Sequence, residues 1–251
     1  MSSEHLKMIR AYELEKVLIH IPPNSTILEI GAGSGYQANI LNDNGHKLHA
    51  IDVINNNKDY DQIWPVQDYD GKSIPFHDDY FDVVFSSNVL EHIKYIHTFQ
   101  DEIQRVLKPE GIAIHILPTS SWRIWTSISY YFFMLKITLI IMIKLLKRSE
   151  DINPIGETTH AITKTKYILN AFFPPRHGER GNVITEIYYF SKKSWESLFV
   201  DTGWELQNIY PCRLFYTGYC VFDKWPGLHI RKLLSYILGS SCMIYIMKIN
   251  S

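Results

Sequence analysis

The residues best suited to chemistry cluster in the first third of the chain. Glycines stand at alternate positions, Gly31, Gly33 and Gly35, directly after the apolar run Ile27-Leu28-Glu29-Ile30. Such glycines let the chain turn sharply and let a ligand approach backbone N–H groups that a Cβ would block. The residues that follow, Tyr36 to Asn42, can open a helix whose N-terminus faces that ligand. Glu29, two residues before the first glycine, suits a ligand carrying a cationic ammonium better than a pyrophosphate. The dinucleotide fingerprint G-x-G-x-x-G needs glycine or alanine at position 36, where this chain has Tyr36. A tight strand-to-helix turn with no ligand is the bland alternative.

Further carboxylates and histidines follow in order. Residues 47–53 read as a second strand ending in Asp52, about 20 residues past the first glycine, where a carboxylate can take both ribose hydroxyls. Then come Asp70-Gly71-Lys72-Ser73-Ile74-Pro75-Phe76, Phe81-Asp82-Val83-Val84 leading to Ser87-Asn88, and Leu90-Glu91-His92. A last block is Leu107-Lys108-Pro109-Glu110-Gly111. This ordered set, over about residues 25–118, resembles the class I S-adenosylmethionine-dependent methyltransferases of the small-molecule type. The resemblance implies S-adenosylmethionine as cofactor, with Glu29 on its methionine ammonium and Gly31–Gly35 beneath methionine and ribose. It further implies Asp52 on the ribose diol, Asp70 on the adenine amine, and Ser87 and Asn88 beside the sulfonium. Asp70 also reads as a turn residue before Gly71, and Asp82 as a structural acid at a strand entry.

Methyl transfer is an in-line displacement, in which the enzyme chiefly aligns a nucleophile. An oxygen acceptor must also lose a proton, a task for histidine near neutral pH. His92 is the first candidate base and His177 the second, with His160 behind them; His115, inside the fifth strand, reads as structural. His92 also reads as a helix-start residue packing under the cofactor. No stretch has recognisable metal-ligand spacing, so the sequence predicts no metal.

These residues need a parallel sheet to position them. Strands at about 26–31, 47–53, 63–67, 81–87 and 111–117 alternate with helices at about 35–43 and 95–107, after a first helix at 4–20 that Pro22 and Pro23 end. A helix at 192–200 and strands at 205–211 and 243–249 complete the expectation: one domain over 1–251, a doubly wound, Rossmann-like, seven-stranded, mostly parallel α/β sheet. Two stretches exceed that plan, 119–190 and 213–240. Both leave near the carboxyl edge of the sheet, so they are expected to form a lid and substrate walls.

The first insertion has distinctive composition. Thr119 to Arg148 contains no acid but holds Arg123, Lys136, Lys144, Lys147 and Arg148 among aromatic and aliphatic residues. On a helical projection these cations span an arc of roughly 140°. The segment 122–148 therefore reads either as an interfacial helix on an anionic membrane or as a buried lid helix. Spanning is disfavoured, since Lys136 near the centre would cost roughly 2.5–3.5 kcal/mol. Further along, Arg176 and Arg180 bracket His177 in a Gly/Pro-rich loop that reads as a phosphate or carboxylate grip, or as an exposed polar loop.

Bulk properties narrow the function classes. A formal charge of −1 gives no electrostatic case for nucleic acid. Cys212, Cys220 and Cys242 are too few and too scattered for a disulfide framework, which together with an N-terminus lacking a signal-like apolar run predicts a cytoplasmic enzyme, peripheral on a membrane if segment 122–148 is interfacial. The expected reaction is methylation of a small or lipid-linked acceptor, foremost O-methylation of a sugar or glycolipid intermediate. The alternatives are N-methylation of a small amine, an NAD(P)-dependent oxidoreductase and a non-catalytic cofactor-binding protein.

Overall fold

A computed structural model describes residues 3–53, 61–146, 173–219 and 226–250. Helix α1 (Ser3–Leu18) stops where the Ile21-Pro22-Pro23 segment removes backbone donors. Strand β1 (Thr26–Ile30) feeds the glycine turn and α2 (Tyr36–Asp43). Next come β2 (Lys47–Val53), β3 (Gln67–Tyr69), β4 (Phe81–Ser87), a 3₁₀ turn at Leu90–His92, α3 (Ile96–Val106) and β5 (Leu107–Pro118). The insertion contributes α4 (Ser120–Leu146) and α5 (Thr185–Tyr189). The chain closes with α6 (Lys192–Asp201), β6 (Trp204–Pro211), α7 (Leu228–Leu238) and β7 (Cys242–Ile249).

The sheet has seven strands in the order β3-β2-β1-β4-β5-β7-β6. β1 pairs in parallel with both β2 and β4, so the order reverses between β1 and β4. Crevices for ligands open at such a reversal, beyond the carboxyl ends of the strands. Only β7 runs against its neighbours, between β5 and β6. The central strands are buried on both faces and accordingly read as near-continuous apolar runs: Ile27, Leu28, Ile30, Val83, Val84, Phe85, Ile114, Ile116 and Leu117 are all fully inaccessible.

The structure shifts two of the expected strands. The third strand lies at 67–69, not 63–67, because Pro65 lacks the N–H a strand interior needs. Ile63 and Trp64 instead donate to Ser34 O at 2.7 and 3.3 Å, folding the segment over the glycine turn. The fifth strand begins at Leu107, four residues before its expected start, pairing Leu107 with Phe81 before a register shift.

The insertion at 119–190 begins with a single long helix of two characters. The first turns of α4 are core: Trp122, Arg123, Thr126 and Tyr130 are buried, and Trp125 Nε1 donates to Leu238 O at 3.1 Å. Beyond Tyr130 no described side chain of α4 is buried, and Phe132, Leu135, Leu139, Met142 and Ile143 are at least half exposed. Among the described residues no helix is long and apolar enough to cross a membrane. Arg123 departs from the basic flank expected for this helix, since it lies in the core against Glu186. Lys147, Arg148 and His160 lie outside the described residues.

Candidate active site

Glu29 is the central residue of the site. As the fourth residue of β1 it points into the protein, 2% exposed, and its Oε2 has no hydrogen-bond partner. Burial drives its carboxyl from the ordinary 4.5 up to about 8, aided by Asp52, while the backbone N–H of Ala38 and the charge of Arg10 pull the other way. An unpartnered acid oxygen at the mouth of a helix N-terminus is a socket for a cation, and an ammonium meets that need.

The glycines divide by role. All three have positive φ. A Cβ on Gly31 would fall 2.3 Å from Val89 Cγ2, and one on Gly35 2.9 Å from the carbonyl oxygen of Trp64. Those two glycines are required by the protein's own packing. Around Gly33 no described residue lies within 4 Å of a Cβ, so apart from its left-handed backbone nothing in the described packing asks for glycine there. Gly33→Ala is therefore expected to fold, losing about 1–2 kcal/mol to its left-handed backbone, yet to lose S-adenosylhomocysteine binding in calorimetry. Gly35→Ala is expected to lower the melting temperature much further. If Gly33→Ala binds as the parent does, the open space is not the ligand's.

Asp52, the penultimate residue of β2 and half-buried, locks the turn. Its Oδ2 accepts from Gly33 N at 2.7 Å and its Oδ1 from Val53 N at 2.7 Å. Asp70 follows β3, exposed, and its Oδ1 accepts from the N–H groups of Lys72 and Ser73 at 2.8 Å each. Those two bonds hold its carboxyl below the usual range; the turn reading of Asp70 is thus realised at one oxygen.

Ser87 and Asn88 end β4 beside β1. Asn88 sits at φ 56° and accepts at Oδ1 from Cys242 Sγ at 3.3 Å. Cys242 in turn contacts the Tyr216 hydroxyl, which donates to Glu13 Oε1 at 2.8 Å, and Arg10 pairs with Glu13 at 2.7 Å. This chain ties the N-terminal helix and the second insertion to the end of β4. Burial pushes the Cys212 and Cys242 thiols up, so both stay protonated and unreactive.

His92 and His177 come together although the sequence separates them widely. Their rings are 4.7 Å apart, and Trp122 stands edge-on to His177 at 4.5 Å. Burial holds His92 below the ordinary imidazole value, so it is neutral near pH 7. Between them lies Glu91, 1% exposed, with both carboxylate oxygens unpartnered. Glu91 has no role legible from spacing alone, because its partner His177 arrives from a distant part of the chain. His115 is structural: fully buried, bonded to Ser86 Oγ at 2.7 Å, and kept neutral by burial with a pKa near 3.

The loop carrying His177 is held by a buried pair that the sequence did not disclose. Glu186 Oε1 accepts from the N–H groups of His177 and Gly178 at 2.7 Å each. Its Oε2 faces Arg123 Nε at 2.9 Å, and Arg123 also donates to Pro175 O at 2.9 Å. The expected arginine grip is otherwise engaged. Arg176 reaches Glu179 at 3.3 Å, and Arg180 stacks on the rings of Trp195 and Tyr189.

A glycine turn at the β1–β4 reversal, an acid beneath it and an inserted antiparallel seventh strand belong to an α/β fold that this chain shares with solved S-adenosylmethionine-dependent methyltransferases. Residues 28–115 match the methyltransferase domain family. An uncharacterized methyltransferase of Mycolicibacterium vanbaalenii is 29% identical over 110 residues, 40% of each chain. A ubiquinone biosynthesis O-methyltransferase of Rickettsia bellii is 30% identical over 112 residues, 41% of this chain and 47% of that one. The matched stretch thus spans less than half the length of these relatives. Among solved structures, a SAM-dependent methyltransferase from Aquifex aeolicus superimposes with TM-score 0.54 at 14% identity, covering 99% of this chain and 94% of its own. A 1,6-didemethyltoxoflavin-N1-methyltransferase from Burkholderia thailandensis, solved with S-adenosylhomocysteine, gives 0.52 at 11% identity, covering 95% and 77%.

Proposed function

We propose that this protein transfers a methyl group from S-adenosylmethionine to an oxygen of a small or lipid-linked acceptor, foremost a sugar hydroxyl of a glycolipid intermediate, at a membrane surface. The observation that carries the cofactor half is the buried, unpartnered Oε2 of Glu29 beneath the open space at Gly33. Bound there, the cofactor supplies an electrophilic methyl on a sulfonium. Glu29 holds the ammonium, Asp52 takes the ribose hydroxyls while bracing Gly33, and Asp70 offers its second oxygen to the adenine amine. Ser87 and Asn88 border the sulfonium from the end of β4.

His92, neutral near pH 7, and its neighbour His177 stand where the 3₁₀ turn meets the lid, placed to take a proton from the acceptor hydroxyl. An oxygen acceptor is supported by the Rickettsia relative, an O-methyltransferase. A lipid-linked one is supported by the apolar far half of α4, which carries Lys136 and no acid from 119 to 148. Exposed Leu233, Tyr236 and Ile237 on α7 add to that apolar surface. The cytoplasmic face of a membrane is the corresponding location.

Two measurements test this reading. S-adenosylhomocysteine is expected to raise the melting temperature by several degrees, and NADH to leave it unchanged; the reverse would favour an oxidoreductase. The protein is expected to float with vesicles containing anionic lipid, and a Leu135→Ser/Leu139→Ser/Met142→Ser variant to stay behind. Equal flotation by parent and variant would overturn the membrane half alone.

A further inference from the structure

We infer that Glu91, His92 and His177 form a binding site for a divalent transition-metal ion of the zinc or iron class at the junction of the 3₁₀ turn and the lid. This rests on the proposed function for the place of the acceptor, but it stands on its own geometry and changes one role. An imidazole whose Nε2 holds an ion has no lone pair left for a proton, so in the loaded protein the ion, not a histidine, would activate the acceptor oxygen. Each residue offers one ligand atom, and these atoms all lie within 4.8 Å of one another. His92 Nε2 and His177 Nε2 approach the same atom, Glu91 Oε1, at 3.9 and 3.8 Å. Metal–ligand bonds of about 2.0–2.2 Å at tetrahedral angles put ligand atoms about 3.3 Å apart. A closure of about half an ångström brings each imidazole to that distance from Glu91, and the side between the two imidazoles, within 4.8 Å, closes by at most about 1.5 Å through rotation of the two exposed rings.

The second observation is Glu91 itself. A carboxylate 1% exposed with neither oxygen hydrogen-bonded is costly to maintain unless something cationic completes it. Both histidines are too far from it for a hydrogen bond, and both remain a third or more exposed at the side chain, 44% for His92 and 35% for His177. The buried acid anchors the ion while the solvent side stays open for water or an acceptor oxygen.

The surroundings fix these ligands in place. The Glu91 carbonyl accepts from Glu179 N at 2.8 Å, and a Cβ at Gly178 would fall 2.8 Å from that same carbonyl. Glu186 grips the two N–H groups just before this contact, and Trp122 limits the His177 ring. Ligand supports of this kind orient a metal's first partners. Two imidazoles and one carboxylate select Zn²⁺ or Fe²⁺ over Mg²⁺ or Ca²⁺, which prefer all-oxygen sets.

The test uses tag-free, full-length protein stripped with chelator and titrated calorimetrically with Zn²⁺ alone and with Mg²⁺ alone. One tight Zn²⁺ per chain is expected, and no comparable Mg²⁺ heat. A His92→Gln/His177→Gln variant, altered only at half-exposed side chains, is expected to melt as the parent does and to weaken Zn²⁺ more than tenfold. Glu91→Gln is expected to do the same. Absence of a tight Zn²⁺ equivalent, or its retention in the double variant, would overturn the inference. S-adenosylhomocysteine titrated into the same preparation separates the two ideas: cofactor heat without Zn²⁺ heat sinks only the metal site, and Zn²⁺ heat without cofactor heat sinks only the methyltransferase reading.

Discussion

Glu29→Gln is expected to abolish the pH dependence of cofactor binding and to weaken binding at pH 8 by roughly two orders of magnitude, as expected when an ammonium loses a buried charged partner. In the parent, the ligand-free carboxyl holds its proton up to about pH 8. An arriving ammonium favours the charged form, so binding below pH 8 must expel that proton. Affinity for S-adenosylhomocysteine should therefore rise about tenfold per pH unit from pH 6 toward 8. Calorimetry in buffers of different ionisation enthalpy would register the released proton, and a flat profile in the parent would refute the account.

The same group sets a stability slope of definite sign. Its folded value, about 8, lies above the ordinary 4.5, so across that window the folded chain binds a proton that the unfolded chain has released. Unfolding free energy from this group is then highest below pH 4.5 and falls as pH rises toward 8. Glu29→Gln should remove that decline, leaving the ligand-free variant more stable than the parent at pH 8 by on the order of 4 kcal/mol. Gain of stability with loss of binding is the signature of a strained binding residue, and chemical denaturation at pH 5 and pH 8 measures it.

Arg123→Met is expected to be the most destabilising change outside the sheet. It would leave the fully buried Glu186 carboxyl without its cationic partner, held only by the two backbone N–H groups, a loss of about 3–5 kcal/mol. For a chain of this size that lowers the melting temperature by about 10 °C. Pairing it with Glu186→Gln should recover a good part, because Gln keeps a carbonyl oxygen for His177 and Gly178. Amide exchange at Gly178, whose N–H points at Glu186, would report whether the loop has come loose. Unchanged exchange in Arg123→Met would mean that other contacts hold it.

What was legible in the sequence follows from how local each signal is. The glycine turn, Glu29, Asp52 and the strand alternation are short-range patterns, and the chain places them as read, at the reversal between β1 and β4. The third strand falls at 67–69 because Pro65, inside the apolar stretch 63–67, has no N–H for a sheet ladder. Arg123 looked like a surface cation because its partner Glu186 arrives from a distant part of the insertion. Glu91 stayed silent for the same reason: its role emerges only when His177 folds back beside His92. Periodicity locates elements, but contacts across an insertion have no period.

The place of β7 has a consequence for assembly. This strand follows all the others in the sequence, yet it wedges between β5 and β6, so β6 has no seat in the sheet until β7 arrives. Its first residue, Cys242, also touches Asn88 at the site. A chain cut short of residue 242 would expose the raw flank of β5, with Ile114 and Ile116 nearby, inviting aggregation. The end of β4 would then lose its contact with Cys242 along with the sheet's closure, so one strand both seals the sheet and braces the candidate site.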